Sequence, residues 1–403
     1  MKKLSVHNFG PIQEVDIELR DINLFIGEQS VGKSTLAKLI SILTDHIILL
    51  SIIKGGLRDW NLWLQKYNLN IYKDNDYRIV YEFSLKELFF HFEVSPLELS
   101  TYIIRDGEKI TDSQEIFAEI AGSKPIYHDD AFEVFMKYLE NKSDNDDRGF
   151  KAFVNLMNNS LYIPAERIIY CVISNLFPAL TFAKSSVPGN LLRFMIDLEN
   201  AKAEYPEFDM PLLGISYKQD GGDDYFVING KDSKFPISSA SSGIQSTMPL
   251  LQVIHYAINH KEYSTFVIEE PECNLFPDKQ VELLEYILKL IKDGNRTLTI
   301  TTHSPYILSA MNNYLFAGNL AKLVLDDGIK SLDEVLDRKI YVLPSECSVY
   351  SLGENINGEG IYCKSLQDVE TGMIDFNTLD AISGKLSVAF EELEDIYVNL
   401  LKK

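Results

Sequence analysis

Four cysteines in 403 residues (Cys171, Cys273, Cys347 and Cys363), no two spaced as C-x-x-C, exclude a disulfide framework and argue against a zinc site. Positive charge is scarce as well. Only 38 Lys and Arg face 59 Asp and Glu, which leaves a net charge of −21. A protein that neutralises a long nucleic-acid backbone presents a basic surface, so any such surface here has to be local. Long apolar runs are missing too. The greasiest stretch, Leu39 to Ile53, is 15 residues long and carries Asp45 and His46 in its middle, which argues against a membrane span. The opening MKKLSVHNFG has two lysines but no apolar core, so it does not read as a signal peptide. The expectation is a cytoplasmic protein with reduced thiols and no membrane partner. There is no internal repeat and no heptad run long enough for a coiled coil. What is present is ordinary globular composition, 46% apolar and 24% charged, which excludes a wholly disordered chain. The length suits two or three domains, or one large domain with an insertion.

Alternation over Leu4–Phe9, Val15–Leu19 and Ile22–Ile26 predicts three strands, with Asn8-Phe9-Gly10-Pro11 as a turn between the first two. The third strand feeds GEQSVGKST, and a long apolar helix is predicted from about Ser34. Residues 57–160 mix aromatic strand-like pieces such as Tyr77–Phe83 with short helices, and the polar run Asn141–Arg148 reads as a surface loop. Leu161-Tyr162-Ile163-Pro164 reads as a return to a central sheet, followed by a helical stretch over 167–203 and hairpins at Gly221-Gly222 and Asn229-Gly230. From Ser241 the pattern is α/β. Helices are predicted over 245–259 and 277–292, and buried strands over 265–268 and 297–301. A hairpin near 349–363 and an amphipathic helix over 385–401 close the chain.

Gly27-Glu28-Gln29-Ser30-Val31-Gly32-Lys33-Ser34 fits G-x-x-x-x-G-K-[ST] at every fixed position, with Thr35 next on the helix. The glycines let backbone N–H groups turn inward onto phosphate oxygens, and the following helix points its positive end at the anion. Lys33 is placed to reach the β- and γ-phosphates, and the Ser34 hydroxyl is suited to Mg²⁺. Phe266-Val267-Ile268 runs into Glu269 and Glu270. Behind a phosphate loop, such a strand end supplies one acid to the metal (Glu269) and one general base (Glu270). The strand Leu298–Thr301 leads to His303 in a turn, where it is expected to meet the γ-phosphate or the attacking water. Ser238–Gln245 precedes a helix and reads either as a simple N-cap or as a second anion site at a helix N-terminus.

Taken in order, these four pieces resemble an ABC-type ATPase head of the RecF, SMC and OLD group, and more narrowly an OLD-like head. Lys3–Gly10 and Ile22–Gly27 are similar to that group's opening strands, Glu270–Pro277 to its acidic strand end and D-loop, and Leu161–Arg167 to OLD-like heads. The resemblance covers residues 1–56 and 160–315. It implies an α/β P-loop NTPase of ABC-ATPase type, with N-terminal antiparallel strands and an inserted helical or mixed lobe. The corresponding division is 1–56 and 161–315 for the head, 57–160 for the lobe and 316–403 for a C-terminal extension. It also implies ATP and Mg²⁺, ATP hydrolysis, and a head-to-head dimer. In that dimer Ser241, Ser242, Gly243 and Gln245 of one copy contact the ATP held by Lys33 of the other. Glu166 and Arg167 take the place of the Q-loop.

Three departures stand out. Ile244 replaces a second signature glycine, Glu269 replaces the usual aspartate, and only about two hundred residues separate Thr35 from Ser242, which excludes a full SMC arm. After His303, Asp326-Asp327 and Glu359-Gly360 occur without the Asp-x-Asp of a Toprim domain, so the chain is not expected to be a nuclease itself. Toprim-less heads of this kind are similar to the ATPase subunits of anti-phage systems such as Septu, retron-associated and PARIS systems. That resemblance implies a separate effector, a nuclease or toxin. A RecF-like repair ATPase that clamps DNA is the alternative, although the charge does not point to it. An inert scaffold with a decayed site is a third reading, disfavoured by intact Lys33, Glu269, Glu270 and His303.

Overall fold

The computed structural model describes residues 2–73, 75–85, 88–111, 159–173, 187–260, 263–294, 296–323, 326–353, 363–375, 387–391 and 393. Strands β1 (Lys2–Phe9) and β2 (Ile12–Leu19) pair antiparallel, with Val6 opposite Val15 and Phe9 opposite Ile12. Their turn uses Gly10 at φ +61°, a conformation that glycine adopts without steric cost. Leu4 and Val6 on β1 and Val15, Ile17 and Leu19 on β2 alternate as buried positions, and Phe9 and Ile12 are buried out of that phase beside the turn.

β3 (Ile22–Gly27) leaves this hairpin and enters a second sheet. It is buried at every position, the mark of a parallel strand covered on both faces. Phe25 joins a core with α1 (Lys33–Thr44) and the antiparallel sheet, while Ile22, Leu24 and Ile26 join the core on the other side. The molecule is therefore layered: antiparallel sheet, α1, parallel sheet, then a further set of helices.

The predicted long helix after Ser34 is two helices. α1 stops at Asp45, and α2 (His46–Gly55) leaves it at 80°. Asp45 accepts from Ile48 N at 3.0 Å as the N-cap of α2, and its other oxygen accepts from Ser160 N at 3.1 Å. A carboxylate in the middle of an apolar run thus breaks the run. No single described helix is long and apolar enough to cross a membrane.

After α3 (Leu57–Lys66), β4 (Arg78–Leu85) returns to pair with β1, and β5 (Leu88–Val94), β6 (Leu99–Arg105) and β7 (Glu108–Ile110) extend the sheet in the order β2-β1-β4-β5-β6-β7. These residues, read from sequence as part of a separate lobe, are continuous with the N-terminal sheet. The polar run 141–148 lies outside the described residues.

β8 (Ser160–Ile163) does return to the parallel sheet. The stretch read as helical holds α4 (Ile169–Ile173) and α5 (Gly189–Glu204), and its middle lies outside the described residues. β9 (Glu207–Met210), β10 (Ile215–Asp220), β11 (Asp223–Ile228) and β12 (Lys234–Pro236) form a small meander. Gly221 and Gly222, at φ +62° and +92°, make the two-residue loop between β10 and β11, a turn that needs positive φ at both positions.

Then come α6 (Ser242–His260), β13 (Thr265–Glu269), α7 (Pro277–Lys292), β14 (Thr297–Thr301) and α8 (Pro305–Leu323), followed by α9 (Asp326–Val335). α5, α6, α7 and α8 cover one face of the parallel sheet. Finally β15 (Cys347–Leu352) inserts beside β3 in parallel, with β16 (Cys363–Ser365) antiparallel at the edge. Among the described residues the order is β16-β15-β3-β14-β13-β8. The closing helix read over 385–401 lies largely outside the described residues, with 387–391 and 393 helical.

Candidate active site

β3, β14 and β13 are parallel neighbours, and their carboxyl ends share one edge. Thr301 pairs with both Phe25 and Glu269, so the loop after β3, the turn after β14 and the acids ending β13 converge there. This edge is where open α/β sheets gather ligands.

The loop after β3 has Gly27 at φ +147°, Ser30 at +65° and Gly32 at +100°. Gly32 is the N-cap of α1, and no side chain caps the helix. Its first N–H groups therefore remain for an anion. Glu28, Gln29 and Ser30 are exposed, Val31 is half-buried, and Gly32, Lys33 and Thr35 are buried. Lys33 Nζ donates to Gly27 O at 2.9 Å and Glu28 O at 2.6 Å. Burial lowers the Lys33 pKa, and the nearby carboxylates of Glu270, Glu269 and Glu272 oppose that shift.

Glu269 is 2% exposed, and Tyr162 Oη donates to its Oε1 at 2.6 Å. Burial pushes the Glu269 carboxyl up, while hydrogen bonds from Tyr162 and Ser34 and the charge of Lys38 pull the other way. Ser34 and Glu269, the two residues read as metal ligands, are thus neighbours at this edge, with the serine favouring the ionised carboxylate. A buried carboxylate beside a serine hydroxyl, below an uncapped helix start, is a donor set that fits Mg²⁺ with a nucleotide phosphate.

Glu270 lies just past the strand at φ +42°, a left-handed conformation that is uncommon for glutamate. Its N–H donates to Thr301 O at 2.9 Å. Its Oε1 lies 3.5 Å from His303 Nε2, and its Oε2 accepts from Cys273 Sγ at 3.1 Å. The His303 pKa is lowered by burial and by the charge of Lys33, against the pull of Glu270, which favours the neutral ring. Glu272 fixes the histidine turn from below. Its Oε1 accepts from Thr302 Oγ1 at 2.5 Å and from His303 N at 2.9 Å.

Burial pushes the Glu272 carboxyl up from 4.5. A raised acid favours the fold most below its unfolded value, and that contribution is lost as pH rises through the folded value. Glu272→Gln cannot ionise, so its melting temperature relative to the wild type should rise by a few degrees between pH 5 and pH 8. A pH-independent difference in thermal melts would refute this.

The serine-rich segment starts α6. Ser241 and Ser242 are exposed, and Ser241 Oγ accepts from Ile244 N at 3.5 Å. A Cβ on Gly243 would lie 2.8 Å from Asn274 O, so the glycine lets α6 press on the turn after Glu270. Gln245 does not face outward as expected. It is 9% exposed and donates to Ile237 O and Ser238 O, closing the turn before its own helix. Of the two residues read as a Q-loop, Glu166 is exposed, whereas Arg167 is fully buried and bonded to main-chain carbonyls on β13's end and on α6.

Tyr162, Glu272 and Cys273 join the site although no motif marks them in the sequence. For Tyr162 a signal existed, because a tyrosine in a buried strand needs a partner for its hydroxyl. The far side of the phosphate loop likewise has no local signal in the sequence. A Cβ on Gly27 would lie 2.4 Å from Leu352 O, and one on Gly353 would lie 2.5 Å from Val31 Cγ1, so the end of β15 walls the loop.

A family described as AAA ATPase domain matches residues 1–177 and 181–308. No curated protein matches. Among solved structures the chain is similar to the SMC head domain from Thermotoga maritima, with 13% identity over 76% of this chain and 90% of that one and a TM-score of 0.36. It is also similar to an Smc head domain with an extended coiled coil bound to the C-terminal domain of ScpA derived from Pyrococcus furiosus (12% identity, 77% and 92% covered, TM-score 0.39). A third is the dimeric bacterial ABC transporter cassette MJ0796 (11% identity, 77% and 91% covered, TM-score 0.31).

Proposed function

This chain belongs to the AAA ATPase domain family, and from that premise we propose that it is an ATP-hydrolysing switch whose copies close head to head around ATP. The observation that carries this reading is the convergence of Lys33, Ser34, Glu269, Glu270 and His303 on one sheet edge. The loop N–H groups and Lys33 bind the phosphates. Ser34 and Glu269 hold Mg²⁺, which supplies charge neutralisation on the phosphate oxygens when bound. Glu270 takes a proton from water as the water oxygen bonds to the γ-phosphorus and the bond to ADP breaks. Neutral His303 donates a hydrogen bond to the γ-phosphate or orients that water.

Ser242 and Gly243, exposed or half-buried at the start of α6, complete the partner copy's site through their N-terminal N–H groups. Gln245 is left out of this contact because its amide is spent within its own chain. The head comprises residues 1–56 and 161–315, to which residues 78–110 and 347–352 add strands. ATP shifts the equilibrium toward the closed state because it bridges two copies only there. The recipient of the motion is a separate effector, a nuclease or toxin, in bacterial anti-phage defence. That assignment rests on the resemblance to Toprim-less heads.

The test is sedimentation of the purified chain with Mg²⁺ and either ADP or a non-hydrolysable ATP analogue. The analogue should double the mass and ADP should not. An unchanged mass with the analogue bound would reject the closing dimer.

A further inference from the structure

We infer that Arg167 is a positioning residue: it holds the main-chain turn that carries Glu270 and ties that turn to the start of α6. The inference rests on the reading of Glu270 as the base, and it gives Arg167 a task other than touching nucleotide.

A guanidinium has five N–H donors in a fixed planar fan. Arg167 is 0% exposed, and five main-chain carbonyls accept from it. Nε donates to Ser246 O at 2.9 Å. Nη1 donates to Pro164 O at 3.0 Å and to Glu269 O at 2.8 Å. Nη2 donates to Glu270 O at 2.8 Å and to Pro271 O at 3.3 Å. Burying a guanidinium is costly, and it persists only where its donors are met.

Three of these acceptors are consecutive: Glu269, Glu270 and Pro271. In an extended strand, successive carbonyls point to opposite sides. They can meet one planar group only if the chain turns, and the left-handed Glu270 makes that turn. Such a conformation is unfavourable for a non-glycine residue and persists where the surroundings enforce it. The same turn aims the Glu270 carboxylate at His303 Nε2 and Cys273 Sγ. Arg167 thereby fixes the direction of the Glu270 carboxylate through the Glu270 main chain.

The fourth acceptor, Ser246, lies on α6 just over one turn beyond Ser242. The Ser246 hydroxyl also donates to Cys273 O at 2.8 Å, and Gly243 packs against Asn274 O. The start of α6 and the segment 269–274 are therefore bound at several points, with Arg167 between them. When a second copy's nucleotide seats on Ser242, the displacement reaches Glu270 through this joint, so hydrolysis is coupled to closure.

Lysine keeps the charge but lacks the planar fan. Arg167→Lys should retain ATP affinity within about twofold, because none of these five contacts reaches the phosphate loop. Its kcat should fall about a hundredfold, the scale of a 1 Å misplacement. It should also accumulate an ATP-bound dimer. A kcat within threefold of wild type, or a raised KM at unchanged kcat, would overturn the inference. Glu270→Gln measured alongside separates the two readings. Normal turnover in Glu270→Gln defeats the base assignment. An inactive Glu270→Gln with a normal Arg167→Lys defeats only the joint. Should Arg167→Lys not fold, hydrogen exchange on Glu270→Gln decides. ATP should slow exchange in residues 238–250 and 264–276 together, and protection confined to 238–250 would overturn the coupling.

Discussion

Glu270→Gln should lower kcat for ATP hydrolysis about a hundred- to a thousandfold, within the range that a positioned general base contributes. The amide is nearly isosteric with the carboxylate. It can still accept from Cys273 Sγ, so the turn should survive, but it cannot take a proton from water. ATP binding depends on other groups, chiefly Lys33 and the loop N–H groups, and should persist. The variant should therefore gather as an ATP-bound dimer, seen as a stable shift in elution together with retained nucleotide. Wild-type turnover by this variant would mean that another group activates the water.

The second large effect comes from mixing two inactive variants. Lys33→Ala removes the buried ammonium at the loop, and Ser242→Arg fills the exposed start of α6. Each alone should fall to about 1% of wild-type ATPase activity or less, since both sites of its dimer carry a lesion. In a two-fold dimer of one with the other, both lesions land in the same site and the second site is whole. An equimolar mixture should then regain about a quarter of wild-type activity, because about half the dimers are mixed and each has one intact site of two. A mixture as inactive as its components would show that Ser242 does not serve the neighbour's nucleotide.

What could be read in advance, and what could not, follows from the range of the signals. The phosphate loop was legible because its function fixes residue types at fixed spacing in a continuous segment. β13, α7 and β14 were legible because short apolar runs alternate there with an amphipathic helix opened by Pro277. The break between α1 and α2 was present in the sequence as Asp45, a capping residue, but a polar residue in an apolar run equally signals a solvated position. Strand partners were not legible. Nothing local in Arg78–Leu85 says that it pairs with β1, or in Cys347–Leu352 that it pairs with β3, because period-2 alternation gives a face and not a neighbour. Arg167 shows a further limit. Its place beside the site was visible, but its inward direction depends on carbonyls that only the folded chain brings together.

Because β15 pairs in parallel with β3, the sheet that carries the phosphate loop extends past the last motif residue. The family match stops at residue 308, yet the strand that buttresses Gly27 and Val31 comes about forty residues later. A clone cut at the end of the recognisable homology would keep every motif residue. It would also bare the edge of β3 to water and to other chains, and release the phosphate loop on one flank. The folding unit is longer than the stretch its ancestry marks.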